Sequence, residues 1–207
     1  MGGNPASICR EIYAETRGFY EAHASALKDA ALGFRILYGP PLAQAPVLFL
    51  GYQPGGKIAE GGVQHETWPV LSEYATEAWP LAVRLRETLG KEVVERSTGL
   101  NAIFFRSKSV ADWGRIERSL RRELEMFSLA RAERIVRTLM PRHVVVIGLG
   151  TVDHLTAGVA ETLGTRRVLI KRGELWGAPA TGIIHLSGAR IRREDRERLA
   201  AYLAVQQ

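Results

Sequence analysis

The segment Gly51-Tyr52-Gln53-Pro54-Gly55-Gly56 joins a polar amide to residues that favour a tight turn. Pro54 fixes one backbone φ angle, and the two glycines permit positive φ and close approach of a ligand. The Gln53 amide donates and accepts hydrogen bonds, so it can hold a water molecule or the edge of a nucleobase. The same segment is also typical of a plain turn with a solvated glutamine.

Two other polar residues stand within or near the end of apolar runs. Asn101 lies within GLNAIFF, where an amide is costly unless it is hydrogen-bonded. It can read a base with one donor and one acceptor, or pair with neighbouring backbone. His185 ends the run TGIIHL and precedes Ser187, Gly188 and Ala189. A histidine there can stabilise an anion on a leaving group, or serve as a structural hydrogen-bonding residue.

These residues need strands and helices to position them. Five apolar runs predict buried strands, at 45–51, 99–105, 144–150, 167–170 and 181–186. Three-to-four spacing of apolar residues predicts one or two helices over 7–34 and further helices at 79–89, 115–139, 152–163 and 193–205.

Strands that alternate with helices predict an α/β fold, here a three-layer α/β/α sandwich around a mostly parallel sheet of four or five strands. We expect one domain over 1–207, with the N-terminal helices of 1–40 packed on it. In such sheets ligands bind at the carboxyl ends of the strands, near the point where strand order reverses. The pattern therefore predicts that the polar strand ends share one site.

The order of these motifs over residues 45–191 resembles the uracil-DNA glycosylase superfamily. In that family the first loop reads G-x-[Asp or Asn]-P-x, or G-E-A-P-G in the iron–sulfur branch, and the last reads H-P-S-P or N-P-S-G. The matching positions in the two loops, together with the strand asparagine, are Gly51, Pro54, Gly55, Asn101, His185, Ser187 and Gly188. The resemblance spans about three quarters of the chain, and no family motif is matched at every position.

Four departures bear on activity. Gln53 stands where the family has a water-positioning Asp or Asn, and its longer side chain displaces a held water by about an ångström, which can lower the rate ~100-fold. Tyr52 stands where the iron–sulfur branch has Glu. Leu186 replaces the usual proline of the last loop, and Cys9, the single cysteine, excludes a four-cysteine cluster.

The resemblance implies hydrolysis of the N-glycosidic bond of uracil or another deaminated base that has been flipped out of DNA. It implies Gln53 and His185 as catalytic residues, with Tyr52 and Asn101 at the base. An aromatic residue should stack on the base, with Trp68 favoured over His65, and packing in the core is the alternative for Trp68. The residues expected at the DNA backbone or in the gap left in the stack are Lys57, Arg106, Lys108, Ser187, Gly188, Ala189, Arg190 and Arg192.

Two other functions stay open on the sequence. One is a catalytically inactive relative that binds nucleic acid or a free nucleobase. The other is a Rossmann-type cofactor enzyme, suggested by Gly148-Leu149-Gly150 after a strand. Asp153 occupies the position where the dinucleotide fingerprint needs its third glycine, which argues against that enzyme class. We therefore expect no cofactor and no metal.

Composition sets the remaining expectations. The chain has 207 residues, 46% of them hydrophobic and 24% charged, with a net charge of +6 that weakly favours a polyanionic partner such as DNA. One cysteine fits a reducing compartment, and no run approaches the ~18–20 apolar residues of a membrane span. We expect a cytoplasmic monomer that contacts no membrane.

Overall fold

A six-stranded, mostly parallel sheet forms the centre of the protein. The computed structural model describes residues 4–27, 33–55, 68–187 and 191–206. The strands are β1 (Leu48–Gly51), β2 (Thr98–Asn101), β3 (Val144–Ile147), β4 (Val159–Glu161), β5 (Ile170–Leu175) and β6 (Ala178–Ile183). The helices are α1 (Pro5–Leu27), α2 (Glu73–Thr76), α3 (Pro80–Leu89), α4 (Lys91–Glu95), α5 (Val110–Gly114), α6 (Arg118–Leu139), α7 (Leu149–Leu155) and α8 (Arg193–Ala204).

The strand order is β2-β1-β3-β6-β5-β4. The first four of these strands pair in parallel, so their carboxyl ends meet at one edge of the sheet. The chain runs from β1 outward to β2 and then crosses to β3 on the other side of β1. Strand order therefore reverses between β1 and β3, which is where ligands bind in open sheets of this kind.

Helices cover both faces of the sheet because the strand residues alternate between two apolar clusters. Leu48 and Leu50 of β1 pack with residues of α1 and α6. Phe49, between them, packs on the opposite face with residues of α3, α4 and α8. This alternation confirms the predicted α/β/α sandwich.

Several element predictions were confirmed and others were wrong. Helix α3 begins at Pro80 and ends before Gly90, whose φ of 84° stops it, as expected. The helix expected over 152–163 was wrong in its second half, where the chain forms the edge strand β4. The sheet therefore has six strands rather than four or five, because β4 adds a strand that pairs antiparallel with β5. A single helix, α1, precedes residue 28, and Phe34 bridges to Phe105 instead of continuing a helix.

Gly99 of β2 lies under an aromatic cluster formed by Tyr38, Tyr74 and Trp79. A Cβ at Gly99 would stand 2.4 Å from Tyr74 Cε2 and 2.8 Å from Tyr38 Cβ. We expect Gly99→Ala to lower the free energy of unfolding by about 1–3 kcal/mol, because two buried rings must move. Gly18→Ala, in open space on α1, should instead raise it by about 0.5–1 kcal/mol, and urea unfolding of both variants checks the contrast.

His143 precedes β3 and is buried, with Nε2 2.9 Å from Thr181 Oγ1. Burial lowers the pKa of His143 below its ordinary value of 6.5. The unfolded chain then binds more protons than the folded chain below about pH 6.5, so stability is full above that pH and falls as the pH drops. We expect the melting temperature to fall between about pH 7 and pH 5 and His143→Gln to weaken that dependence. If the melting temperature of His143→Gln depended on pH as in the wild-type protein, His143 would not be the cause of that dependence.

In the part of the chain that the structure describes, no helix has both the length and the apolar composition needed to cross a membrane.

Candidate functional site

A cavity of about 810 Å³ opens at the carboxyl ends of β1, β2, β3 and β6. Its walls include Gly51 to Gly55 after β1, Asn101 at the end of β2, and Ile147 with Thr151 after β3. His185, two residues beyond β6, completes this side. The cavity thus lies at the reversal of strand order, and its volume is typical of pockets that bind a drug-sized ligand.

Gln53 is held against the tip of the neighbouring strand. Its Nε2 donates a hydrogen bond to the backbone carbonyl of Phe105 at 2.9 Å. The backbone N–H of Ile103 donates to the carbonyl of Tyr52 at 2.8 Å, which ties the same loop to the segment after β2. Because the amide nitrogen is engaged, the orientation of the side chain is fixed, and the amide oxygen remains an acceptor for water.

Asn101 is 2% exposed and anchored through its amide nitrogen. Nδ2 donates to the backbone carbonyl of Arg35 at 3.1 Å. A Cβ at Gly51, its partner in the β1–β2 register, would stand 3.0 Å from Asn101 Oδ1, so glycine there leaves room for the amide. The alternative of a backbone-paired asparagine is therefore correct for one N–H, while the second N–H and the oxygen remain for a ligand.

His185 lies at the rim, beside the turn between β3 and α7. Its Nδ1 is 3.1 Å from Ser187 Oγ. When the Ser187 hydroxyl donates this bond, the proton of the neutral imidazole resides on Nε2, which then serves as a donor. Although the side chain keeps solvent contact, partial desolvation lowers the pKa of His185 below 6.5, which favours the neutral ring at pH 7.

The structure does not bring every expected residue to this cavity. Trp68, expected to stack on a base, packs instead against α1, with its ring 5.3 Å from Tyr13 and the Arg10 guanidinium 4.1 Å from its centroid. Ring packing against a helix explains this position, because a large apolar surface is buried there. Five expected residues lie outside the described residues: Lys57, His65, Gly188, Ala189 and Arg190.

The expected DNA-contacting residues fall into two groups. Arg106, Lys108 and Ser187 line the cavity together with Tyr52. Arg192 lies apart from it, in a smaller polar pocket with Arg166 and Arg167 at the start of α8. Two arginines of α6 bind a carboxylate of another helix: Arg131 and Arg134 pair with Glu15 of α1. Arg121 and Arg137 instead pair with glutamates four residues away in α6 itself.

Sequence reasoning missed a second wall of the cavity. Arg35 and Glu73 line it as an ion pair. Tyr38 and Trp79 lie beside them, and the Arg35 guanidinium is 4.2 Å from the Tyr38 ring centroid. His154 of α7 lines the opposite part, with its ring centroid 5.6 Å from that of Tyr52. No local pattern indicates Arg35 or Glu73, because the two residues meet only through the tertiary fold.

No protein-family model matches the chain, and no curated protein is significantly similar to it.

Proposed function

We propose that this protein is a divergent DNA glycosylase of the uracil-DNA glycosylase type, which hydrolyses the N-glycosidic bond of a deaminated base. One observation carries the proposal: Gln53, Asn101 and His185, three residues distant in sequence, line a single cavity at the tips of parallel strands. A nucleobase inside a duplex is unreachable, so the target must be flipped out or single-stranded to enter.

The reaction exchanges one bond for another. The oxygen of water bonds to C1′ of the deoxyribose while the C1′–N bond breaks and its electron pair stays on the base. The departing base takes up a proton, and the proton lost by the attacking water goes to solvent. Charge therefore develops as a cation on the sugar and an anion on the base, and groups aimed at those charges lower the barrier.

The anchored side chains fit these tasks. Gln53 is not a base, but its oxygen can accept a hydrogen bond from the attacking water and so orient it. A donor at His185 Nε2 can stabilise the anionic base without a positive charge of its own. Asn101 offers one donor and one acceptor to the base edge. Arg106 and Lys108 supply positive charge for the flanking phosphates.

Base release from labelled oligonucleotides tests the proposal. Single- and double-stranded substrates carrying uracil, hypoxanthine or xanthine are incubated with the protein, and abasic sites are then cleaved with alkali. We expect cleavage at one or more of these bases and none at the matched normal base. No cleavage of any substrate, together with no binding at low salt, would refute the proposal.

A second candidate is a base-binding relative without catalytic activity, and the residue that favours it is Gln53, which replaces the Asp or Asn of the resembling family. The Gln53→Asn variant separates the two. If the wild-type chain is a weakened catalyst, shortening the side chain should raise the rate of base release, by up to ~100-fold if an ångström of displacement is corrected. Gln53→Ala is the matched control and should fall below the wild-type rate. An equal lack of activity in all three proteins, with base binding retained, would favour the inactive relative.

A further inference from the structure

We propose that the cavity reads a 6-oxopurine, with hypoxanthine as the representative base, through a row formed by Asn101, Arg35 and Glu73. This inference rests on the proposed function because it names the base that the same cavity holds. The three side chains all line the cavity. Asn101 is linked to Arg35 through the backbone, since its Nδ2 donates to the Arg35 backbone carbonyl, and the Arg35 guanidinium binds the Glu73 carboxylate.

The row presents hydrogen-bonding groups in a defined sequence. Asn101 keeps a second N–H beyond the one given to Arg35. The ion pair joins Arg35 Nη2 to Glu73 Oε1, which leaves other guanidinium N–H groups and the second carboxylate oxygen. From Asn101 through Arg35 to Glu73, the groups left for a ligand are therefore a donor, a donor and an acceptor.

A 6-oxopurine carries the complementary groups along one edge. N7 and O6 are acceptors, and N1–H is a donor. Adenine differs at the last two positions, because its exocyclic amine is a donor and its N1 an acceptor, so both would meet like groups in the protein. Uracil offers only its O4 and N3–H to such a row. A site built for hydrogen bonds rejects a base that leaves its groups unpaired.

The surroundings of the row fit a two-ring base. Glu73 is held in place by its backbone N–H, which donates to the Tyr38 carbonyl at 2.8 Å. Arg35 is stacked at 4.2 Å on the Tyr38 ring, and Trp79 lies beside that ring on the cavity wall. The half-buried Trp79 ring gives the cavity wall an aromatic surface suited to a planar ligand, and about 810 Å³ is ample for a purine nucleotide.

Calorimetric titration with free hypoxanthine, adenine and uracil tests this inference without requiring catalysis. We expect the wild-type protein to bind hypoxanthine at least about tenfold more tightly than either other base. In Glu73→Gln the amide can turn a donor toward N1, so the preference for hypoxanthine over adenine should fall about 10- to 100-fold. Glu87→Gln alters another Arg–Glu pair, outside the cavity, and should leave the preference unchanged.

The outcomes separate this inference from the proposed function. If the protein prefers hypoxanthine but releases no base from DNA, recognition of the base by the row is supported and catalysis is refuted. If the protein releases uracil from DNA but shows no preference for hypoxanthine, catalysis is supported and recognition of a 6-oxopurine by the row is overturned. Equal effects of Glu73→Gln and Glu87→Gln overturn it as well. If Glu73→Gln fails to fold, the wild-type ratio of hypoxanthine to adenine affinity decides alone.

Discussion

The His185→Ala variant is expected to release the base about 100- to 1,000-fold more slowly than the wild-type protein, which is the usual cost of removing one donor to a developing anion. His185 lines the cavity and is fixed at Nδ1 by Ser187. In the proposed mechanism, the variant removes the donor that stabilises the departing base. Single-turnover base release at saturating protein measures this step apart from binding.

Ser187→Ala provides the graded comparison for His185. It removes the hydrogen bond at Nδ1 but keeps the ring, so a smaller loss than in His185→Ala is expected. Since the His185 side chain keeps solvent contact, the His185→Ala variant should have almost the same melting temperature as the wild-type protein. A folded His185→Ala protein with a rate within about threefold of wild type would show that this histidine does not serve the leaving group.

The Asn101→Ala variant is expected to lose both stability and base release. Truncation leaves the Arg35 carbonyl buried without its donor, which should lower the free energy of unfolding by about 1–3 kcal/mol. It also removes a donor and an acceptor from the base, and we expect base release to fall on the order of 100-fold at subsaturating substrate. Urea unfolding and the cleavage assay measure the two losses separately.

Ser128→Ala is the matched control for the Asn101 prediction. Ser128 is fully buried in α6, and its Oγ accepts the backbone N–H of Phe104 at 3.2 Å. This variant therefore also leaves one buried backbone group, the N–H of Phe104, without its partner, but away from the cavity wall. We expect a comparable loss of stability with base release retained. Equal losses of activity in both variants would mean that Asn101 acts only through stability.

The α/β class and the helical faces could be predicted from the sequence because local patterns determine them. The run VVVIGLG gave β3, and the spacing of Leu124, Ile135 and Leu139 gave the buried face of α6. Strand β4 could not be predicted, since only Ala160 and Val159 in it are apolar and both are exposed. Edge strands lack the apolar pattern that identifies buried ones.

The strand-tip part of the site could also be predicted, because parallel strands bring their carboxyl ends to one edge. Gln53 and His185 stand at or just after the end of an apolar run, and Asn101 is the polar residue within another. The wall formed by Arg35 and Glu73 could not be predicted, since 38 residues separate the two partners and neither stands in a motif. The sequence could not decide between the cavity and the core for Trp68, which packs on α1, because an aromatic residue in a loop has the same sequence pattern in both cases.

The central claim is that one nucleobase occupies the hollow between Gln53, Asn101 and His185, and an NMR titration tests it most directly. The ligands are short single strands whose central nucleotide is 2′-fluoro-2′-deoxyuridine or 2′-fluoro-2′-deoxyinosine, since the fluorine slows cleavage. We expect at least one of them to shift the side-chain amide signals of Gln53 and Asn101 and the ring signals of His185 together, with little change at the Trp68 indole. Binding that leaves those three residues unshifted would contradict the account.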